Sequence, residues 1–439
     1  MQLMPRGLWF RLKSLDTLDR PADSGAKEKP PMLRINLARL RQDLEDLGEI
    51  GKTPEGGVWR SSFSEADLEA RRWYLQRLQD AGLQHWVDAA GNIYGRVGEG
   101  SPAVIAGSHI DSVPNGGRFD GALGVMAAFE CLRTIKDHGV HTKLPIEAVA
   151  FTDEEGRFGG FVGSYALIGQ MPYEEVMRRR DLRGVPLAEA MHAVGLDPAR
   201  IAAARRDPND IKAYVELHIE QGPILESLNV PIGVVQGIVA GSRTWITFRG
   251  RADHAGTTPM SMRQDAFLGA AEFGLRARDM VLTEGSGTTV GTVGVLELKP
   301  GASNIVPESA FLTLDLRDIS WDVLQRLLER TRLIAHEVAE KWGLEVTVER
   351  MRVSEPAQMS PHLQAIIAEA AKELGLKAHW MNSGAGHDAQ VMAKIAPAGM
   401  IFVPSRQGRS HSPAEHTDWD QIENGANVLL HTLLRLANE

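Results

Sequence analysis

Short apolar runs alternate along the chain with longer stretches whose apolar residues recur every three to four positions, the pattern of buried strands separated by amphipathic helices. The runs are "AVIAG" (103–107), "PIEAVAF" (145–151), "KAYVELHI" (212–219) and "GMIFVPS" (399–405), and helical periodicity fills "GALGVMAAFECLRTIKDHG" (121–139). A helix over 64–82 opens on Ser64 with Asp67 three residues on and closes on Gly82. Near the end, Ser360-Pro361 starts a helix that stops near Gly375, and residues 420–438 form the last one. Strands that stay apolar along their length are covered on both faces, so the fold class predicted is α/β, a mainly parallel sheet flanked by helices.

Between residues 237 and 350 the order of elements changes. It reads strand 244–250, helix 264–281, strands 288–298 and 310–318, helix 321–343, strand 345–351, the β-α-β-β-α-β order of a split ferredoxin-like unit. The 439 residues exceed what one hydrophobic core usually supports. The organisation expected is therefore a catalytic domain of residues 32–236 and 351–439, with an α+β domain inserted at 237–350. Residues 1–31 carry basic residues but no continuous apolar core, and Asp16, Asp19 and Asp23 spoil an organelle leader; a disordered extension is expected there.

Composition narrows the partners. A net charge of −9 argues against a phosphate-binding surface, so no nucleic acid is expected, and the isolated basic run at 178–184 reads as a solvated face. No stretch approaches the roughly 18 apolar residues of a membrane span. The single cysteine, Cys131, excludes an intramolecular disulfide, sits in an apolar helical pattern and suits the reducing cytoplasm.

Chemistry gathers where the strands end. "AVIAG" leads to His109 and Asp111, "PIEAVAF" to "TDEE" (152–155), "AYVEL" to His218 with Glu220 and Gln221, and "GMIFVPS" to "SRQGRSHSPAEH" with His411 and His416. In open α/β sheets, ligands collect at the carboxyl ends of the strands. Mixed imidazole and carboxylate donors suit zinc, manganese, cobalt or nickel better than magnesium or calcium. Asp120, in the glycine-rich "GGRFDGALG", is placed to bridge two cations, and Asp111 to orient His109 from behind. Taken singly, each residue has a structural reading: His109 as a hydrogen-bonded core histidine, Asp120 as a helix N-cap, Glu154 and Glu155 as loop acids. Jointly they favour metal, because adjacent buried acids need a cation. "HEVAE" (336–340) lacks the second zincin histidine, G-x-S-x-G is absent, and "GRVGEG" (95–100) lacks dinucleotide-binding spacing.

The strings "GSHIDSVPNGGRFDGALGV", "AFTDEEG", "AYVELHIEQGPILE", "ADHAGTTPMSMRQD", "NIVPE", "LDLRD", "SGAGHDAQ" and "SHSPAEH" together resemble the two-metal aminoacylase and carboxypeptidase superfamily. The likeness runs from about Met32 to the C-terminus. Within that superfamily it is similar to the branch of N-carbamoyl-L-amino-acid hydrolases, allantoate amidohydrolases and β-ureidopropionases. The resemblance implies two divalent ions per subunit, one held by His109 and His218, the other by Glu155 and His411, with Asp120 bridging. It implies Glu154 as general base and leaves Asp153 without a role. It further implies Arg317 as the clamp for the substrate carboxylate, Asn304 and Gln221 as hydrogen-bond donors, Gly386 as backbone close to the substrate, and His254 as an oxyanion-stabilising residue reached from the partner of a homodimer. The expected enzyme is a metal-dependent hydrolase of linear amides, with N-carbamoyl-L-amino acids as the leading substrates. Allantoate or β-ureidopropionate, and more remotely acyl amino acids or dipeptides, are the alternatives.

Overall fold

A computed structural model describes residues 32–439, and the extension expected over residues 1–31 lies outside them. In chain order the strands are β1 (Gln84–Val87), β2 (Ile93–Val97), β3 (Ala103–His109), β4 (Ile146–Phe151), β5 (Ile211–Ile219), β6 (Ile232–Ile238), β7 (Ala240–Arg249), β8 (Asp253–His254), β9 (Val290–Lys299), β10 (Ile305–Val306), β11 (Ser309–Asp318), β12 (Glu345–Val353), β13 (Ala357–Gln358), β14 (Ala378–Ser383) and β15 (Ala398–Val403). The larger sheet runs β1-β2-β4-β3-β5-β15-β6-β13, with β14 also paired to β6.

Its middle is the parallel set β4-β3-β5-β15, buried along almost every residue as the unbroken apolar runs require. The flanks are antiparallel, with β2 on β4, β1 on β2 and β6 on β15. Parallel register brings the carboxyl ends of the four central strands to one edge: His109 lies opposite Phe151, and His218 opposite Phe402. Helix Ala122–Asp137 is buried over most of its length against this sheet, and Cys131 is part of that packing. Helix Glu65–Asp80 starts where expected, with the Ser64 hydroxyl accepting from the Asp67 amide.

The second sheet is antiparallel, in the order β12-β7-β11-β9. That order and its two helices, Ala266–Glu284 and Trp321–Trp342, make it ferredoxin-like. Along β11 buried and half-buried residues alternate, so Ala310, Leu312, Leu314 and Leu316 face the helices and form a core of their own with Phe248, Phe273 and Leu327. By contrast β9 is exposed almost throughout and, among the described residues, pairs in the sheet with β11 alone.

Candidate metal centre

The centre is built at the strand edge just described. His109 ends β3 and His218 lies one residue before the end of β5, both almost wholly buried. The His109 Nδ1 lies 3.0 Å from the Asp111 carbonyl and the His218 Nδ1 2.8 Å from the Ile219 carbonyl. Each contact fixes the proton on Nδ1 and leaves Nε2 as the outward donor. Asp120 stands between them, in the loop before helix Ala122–Asp137. Its Oδ1 lies 3.2 Å from His218 Nε2 and 3.8 Å from His109 Nε2, while its Oδ2 lies 3.3 Å from His411 Nε2. Glu155 Oε2 is 3.7 Å from the same His411 nitrogen, and Glu154 Oε2 is 3.5 Å from His109 Nε2.

Two donor groups therefore share one carboxylate: His109, Asp120 and His218 on one side, Asp120, Glu155 and His411 on the other. Bonds of about 2.05 Å in a tetrahedral site put donors about 3.3 Å apart, close to the spacings seen. The electrostatics fit as well. Burial would raise the Asp120 carboxyl, but the His218 and His411 side chains outweigh it and hold the group well below the usual carboxylate range. Burial, with Glu155 beside it, pushes Glu154 well up; burial, with Asp120 beside it, does the same to Glu155, whose buried Oε1 has no hydrogen-bond partner among the described residues. Acids forced toward the neutral form beside imidazoles, with a buried donor atom left over, are a set that a divalent cation satisfies.

Glycines make this geometry possible. Gly121 has φ +63°, and a β-carbon there would collide with the His109 ring. At Gly117 a β-carbon would collide with the Glu415 carboxylate, which accepts from the amides of Phe119 (2.9 Å) and Asp120 (3.1 Å) and from the Ser410 hydroxyl (2.9 Å).

The other expected residues divide. Gln221 reaches the centre, its Nε2 donating to Asp120 Oδ2 at 2.8 Å. Arg317 and Gly386 line the same cavity of about 590 Å³ as the two donor groups, and Arg317 donates to Asp315 Oδ1 (2.9 Å) and to the Gly384 carbonyl (2.8 Å). His254 and Asn304 do not line it; they sit together, exposed, on the β8–β10 ribbon, where the Ala255 amide donates to the Asn304 carbonyl. His416 lies apart from both donor groups, edge-on to Phe119. Asp111 lies behind His109, with both its carboxylate and its carbonyl near Nδ1. That carboxylate, 3.7 Å from Nδ1, accepts from the Glu154 (3.4 Å) and Glu155 (3.2 Å) amides and the Ser62 hydroxyl (3.0 Å), while the Asp111 carbonyl makes the hydrogen bond to Nδ1. Asp153, left without a role above, is a buried turn residue at φ 56° that accepts from the Phe158 amide (3.0 Å).

Sequence reasoning missed the support beneath the ligands. Glu216 is buried two residues before His218 on the same face of β5, accepting from Ser108, Tyr214 and the Ala389 amide. His387 packs edge-on against His218 at 4.5 Å and contacts the Ser383 hydroxyl at 2.9 Å. An acid two places before a ligand on one strand was the available signal for Glu216; for Glu415 and His387 there was only membership of "SPAEH" and "AGHD".

With the geometry in place, comparison with known proteins is informative. Residues 105–435 match the model of peptidase family M20/M25/M40. The chain is 44% identical to the N-carbamoyl-L-amino acid amidohydrolase of Geobacillus stearothermophilus, over 92% of this chain and 99% of that protein. It is 41% identical to the N-carbamoyl-L-amino-acid amidohydrolase of Pseudomonas sp. (strain NS671), over 91% and 98%. It is 35% identical to the ureidoglycolate hydrolase of Arabidopsis thaliana, over 96% and 90%. Among solved structures, an amidase of the hydantoinase/carbamoylase family from Burkholderia multivorans superposes with a TM-score of 0.87 at 36% identity, covering 93% of this chain and all of that one.

Proposed function

The chain belongs to peptidase family M20/M25/M40 and is a metal-dependent hydrolase, and from that premise we propose that it cleaves the ureido C–N bond of N-carbamoyl-L-amino acids to give the amino acid, ammonia and carbon dioxide. The observation that carries the reading is the Asp120 carboxylate shared by two donor groups with Glu154 at their edge. The choice of substrate draws on the relatives at 44% and 41% identity, against 35% for the one named for ureidoglycolate.

His109, His218 and Asp120 would hold one divalent ion and Asp120, Glu155 and His411 a second, drawn from zinc, manganese, cobalt or nickel. When bound, such ions supply Lewis acidity that acidifies water and polarises the ureido carbonyl. The chain's own residues do the rest. Glu154, raised by burial and by Glu155, takes the proton of the attacking water and returns it to the leaving nitrogen. Arg317 offers a planar fork for the substrate carboxylate, exchanging its contacts to Asp315 and Gly384. Gln221 and the Gly386 backbone flank the substrate.

In this reading residues 237–350 form a lid and dimerisation domain. The free edge of β9, with Val290, Val293, Val295 and Leu296 exposed, is the surface a second copy would cover. His254 and Asn304, exposed and outside their own cavity, would then serve the substrate, His254 in the partner's site. Among the described residues no helix is long and apolar enough to cross a membrane. Lone, buried Cys131 supports residence in the cytoplasm.

The test is ammonia release from N-carbamoyl-L-methionine, N-carbamoyl-β-alanine, allantoate and ureidoglycolate, before and after chelation, with sedimentation to give the oligomeric state. Fastest turnover of the first compound, lost on chelation and restored by metal, is expected; preference for allantoate or ureidoglycolate would move the assignment to that sibling activity.

A further inference from the structure

One wall of the cavity is set by an unusual backbone. Phe161 has φ 57° and ψ 28°, the left-handed region that a β-carbon disfavours, and follows two glycines at positive φ, Gly159 and Gly160. A residue other than glycine persists there when its surroundings hold it. Here they do. Arg179 Nη1 donates to the Gly160 carbonyl (2.9 Å) and the Phe158 carbonyl (3.3 Å), and the Tyr165 amide donates to the Phe161 carbonyl (2.9 Å). The next amides, of Val162 and Gly163, reach back to the carbonyls of Asp153 (3.4 Å) and Thr152 (2.8 Å). The segment that aims the Phe161 ring is thus fastened to the turn that presents Glu154 and Glu155.

The ring lines the cavity, edge-on to Tyr165 at 6.1 Å, and Val391 lines it as well. On the other side lies Gly386, where a β-carbon would come within 3.2 Å of Phe161 Cζ, so the glycine leaves the ring its place. Lys394, also on the lining, sits over the Tyr165 ring at 5.4 Å and donates to Gln170 Oε1 at 3.4 Å, so its ammonium is already engaged by a ring face and an amide oxygen. Phe161, Tyr165 and Val391 give the cavity an apolar patch among its imidazoles, carboxylates and guanidinium groups, and Val239 and Trp321 are further apolar residues of its lining. A substrate with its ureido carbon at Glu154 and its carboxylate at Arg317 has one substituent left on its α-carbon.

We propose that Phe161 is a specificity-determining residue: its ring, held in the cavity by the left-handed backbone, is the surface on which the substrate's side chain lies, selecting extended apolar side chains over small or acidic ones. This rests on the N-carbamoyl-L-amino acid reading above. Each added methylene in such a pocket is worth between about 10- and 200-fold in kcat/KM, while a carboxylate would lose its water against the Phe161 ring, and Lys394, the cation beside Tyr165, is already held by that ring and Gln170.

The experiment measures kcat/KM for the N-carbamoyl derivatives of L-alanine, L-methionine, L-phenylalanine and L-aspartate, using the metal-loaded full chain and its Phe161→Gly and Phe161→Leu variants. In the unaltered chain the methionine derivative is expected to exceed the alanine derivative at least about tenfold, with aspartate lowest. Phe161→Gly, which suits a left-handed backbone, should cut the methionine-to-alanine ratio about tenfold, chiefly through KM, and Phe161→Leu should give an intermediate ratio. A flat series in the unaltered chain overturns the assignment, as does a ratio unmoved by Phe161→Gly in protein of normal melting temperature. Should the glycine variant not fold, the unaltered series and the leucine variant decide alone. No ammonia from any of the four compounds would reject the substrate class itself, a result distinct from activity without selectivity.

Discussion

Replacing Glu415 with alanine should loosen the metal centre without removing a ligand. Its Oε1 accepts the Phe119 and Asp120 amides and its Oε2 the Ser410 hydroxyl, so one buried carboxylate ties the loop bearing Asp120 to the loop bearing His411. Alanine leaves those two buried amides without an acceptor, at about 1–3 kcal/mol each, or roughly 2–6 kcal/mol together. Glu415 carries an opposing cost, since burial and the nearby Asp120 charge push its carboxyl from 4.5 up to about 7. A carboxyl raised in the fold stabilises fully below its unfolded value, and that stabilisation is lost as the pH climbs through the folded one. Between pH 5.5 and 8 the loss is about 2 kcal/mol, so the alanine variant's deficit should be larger at pH 5.5 than at pH 8. Calorimetric melting of chelated protein at the two pH values reads this directly. Metal affinity, measured by competition with a chromophoric chelator, should weaken by about 10–100-fold, as it does when a partner that orients ligands is removed. Glu415→Gln keeps the amide-accepting oxygen and should stay close to the unaltered chain. An alanine variant that melts and binds metal normally would refute the reasoning; a glutamine variant as damaged as alanine would show that charge, and not the acceptor atom, matters.

Three further outcomes follow from the same geometry. Glu154→Gln should lower ammonia release by about 10²–10⁴-fold while leaving metal content unchanged by elemental analysis, because Glu154 stands outside both donor groups; undiminished turnover would remove it as the base. Gly121→Ala forces a β-carbon into the His109 ring from a positive-φ position, so about half of the bound metal should be lost, from the His109 and His218 side, and full occupancy in that variant would contradict the close approach. Burial would lower His218, yet Asp120 outweighs it and carries the imidazole to about 9, so in metal-free protein an entering cation displaces a proton at neutral pH. Apparent metal affinity should therefore rise with pH between about 6.5 and 9, with proton release visible by titration calorimetry in two buffers; a pH-independent constant would count against the assigned donor.

Much of this centre was legible in the sequence because its ligands follow strands whose apolar runs are hard to mistake, and parallel strands deliver their ends to one edge. His109, the Glu154–Glu155 pair and His218 are of this kind. The ferredoxin-like unit was equally readable, since alternation along β11 and amphipathic helices of 19 and 22 residues leave little ambiguity. Elements with weak patterns were missed. Strand β6, "IGVVQGI", carries two glycines, and β14, "AHWMNS", mixes polar and aromatic residues; both join the large sheet through partners remote in sequence. The further contacts of Asp111 were not legible for a related reason: two residues from His109 on the chain, its carboxylate also accepts from amides 43 and 44 residues away, which no local spacing encodes. Glu415 bonds amides nearly 300 residues distant and was invisible in the same way.

Anomalous diffraction from crystals of the metal-loaded protein bears most directly on the shared Asp120 carboxylate. Two peaks about 3.5–4 Å apart are expected, one contacted by His109, His218 and Asp120 and the other by Asp120, Glu155 and His411. A single peak, or density among Glu216, His218 and His387 with Asp120 turned away, would contradict it.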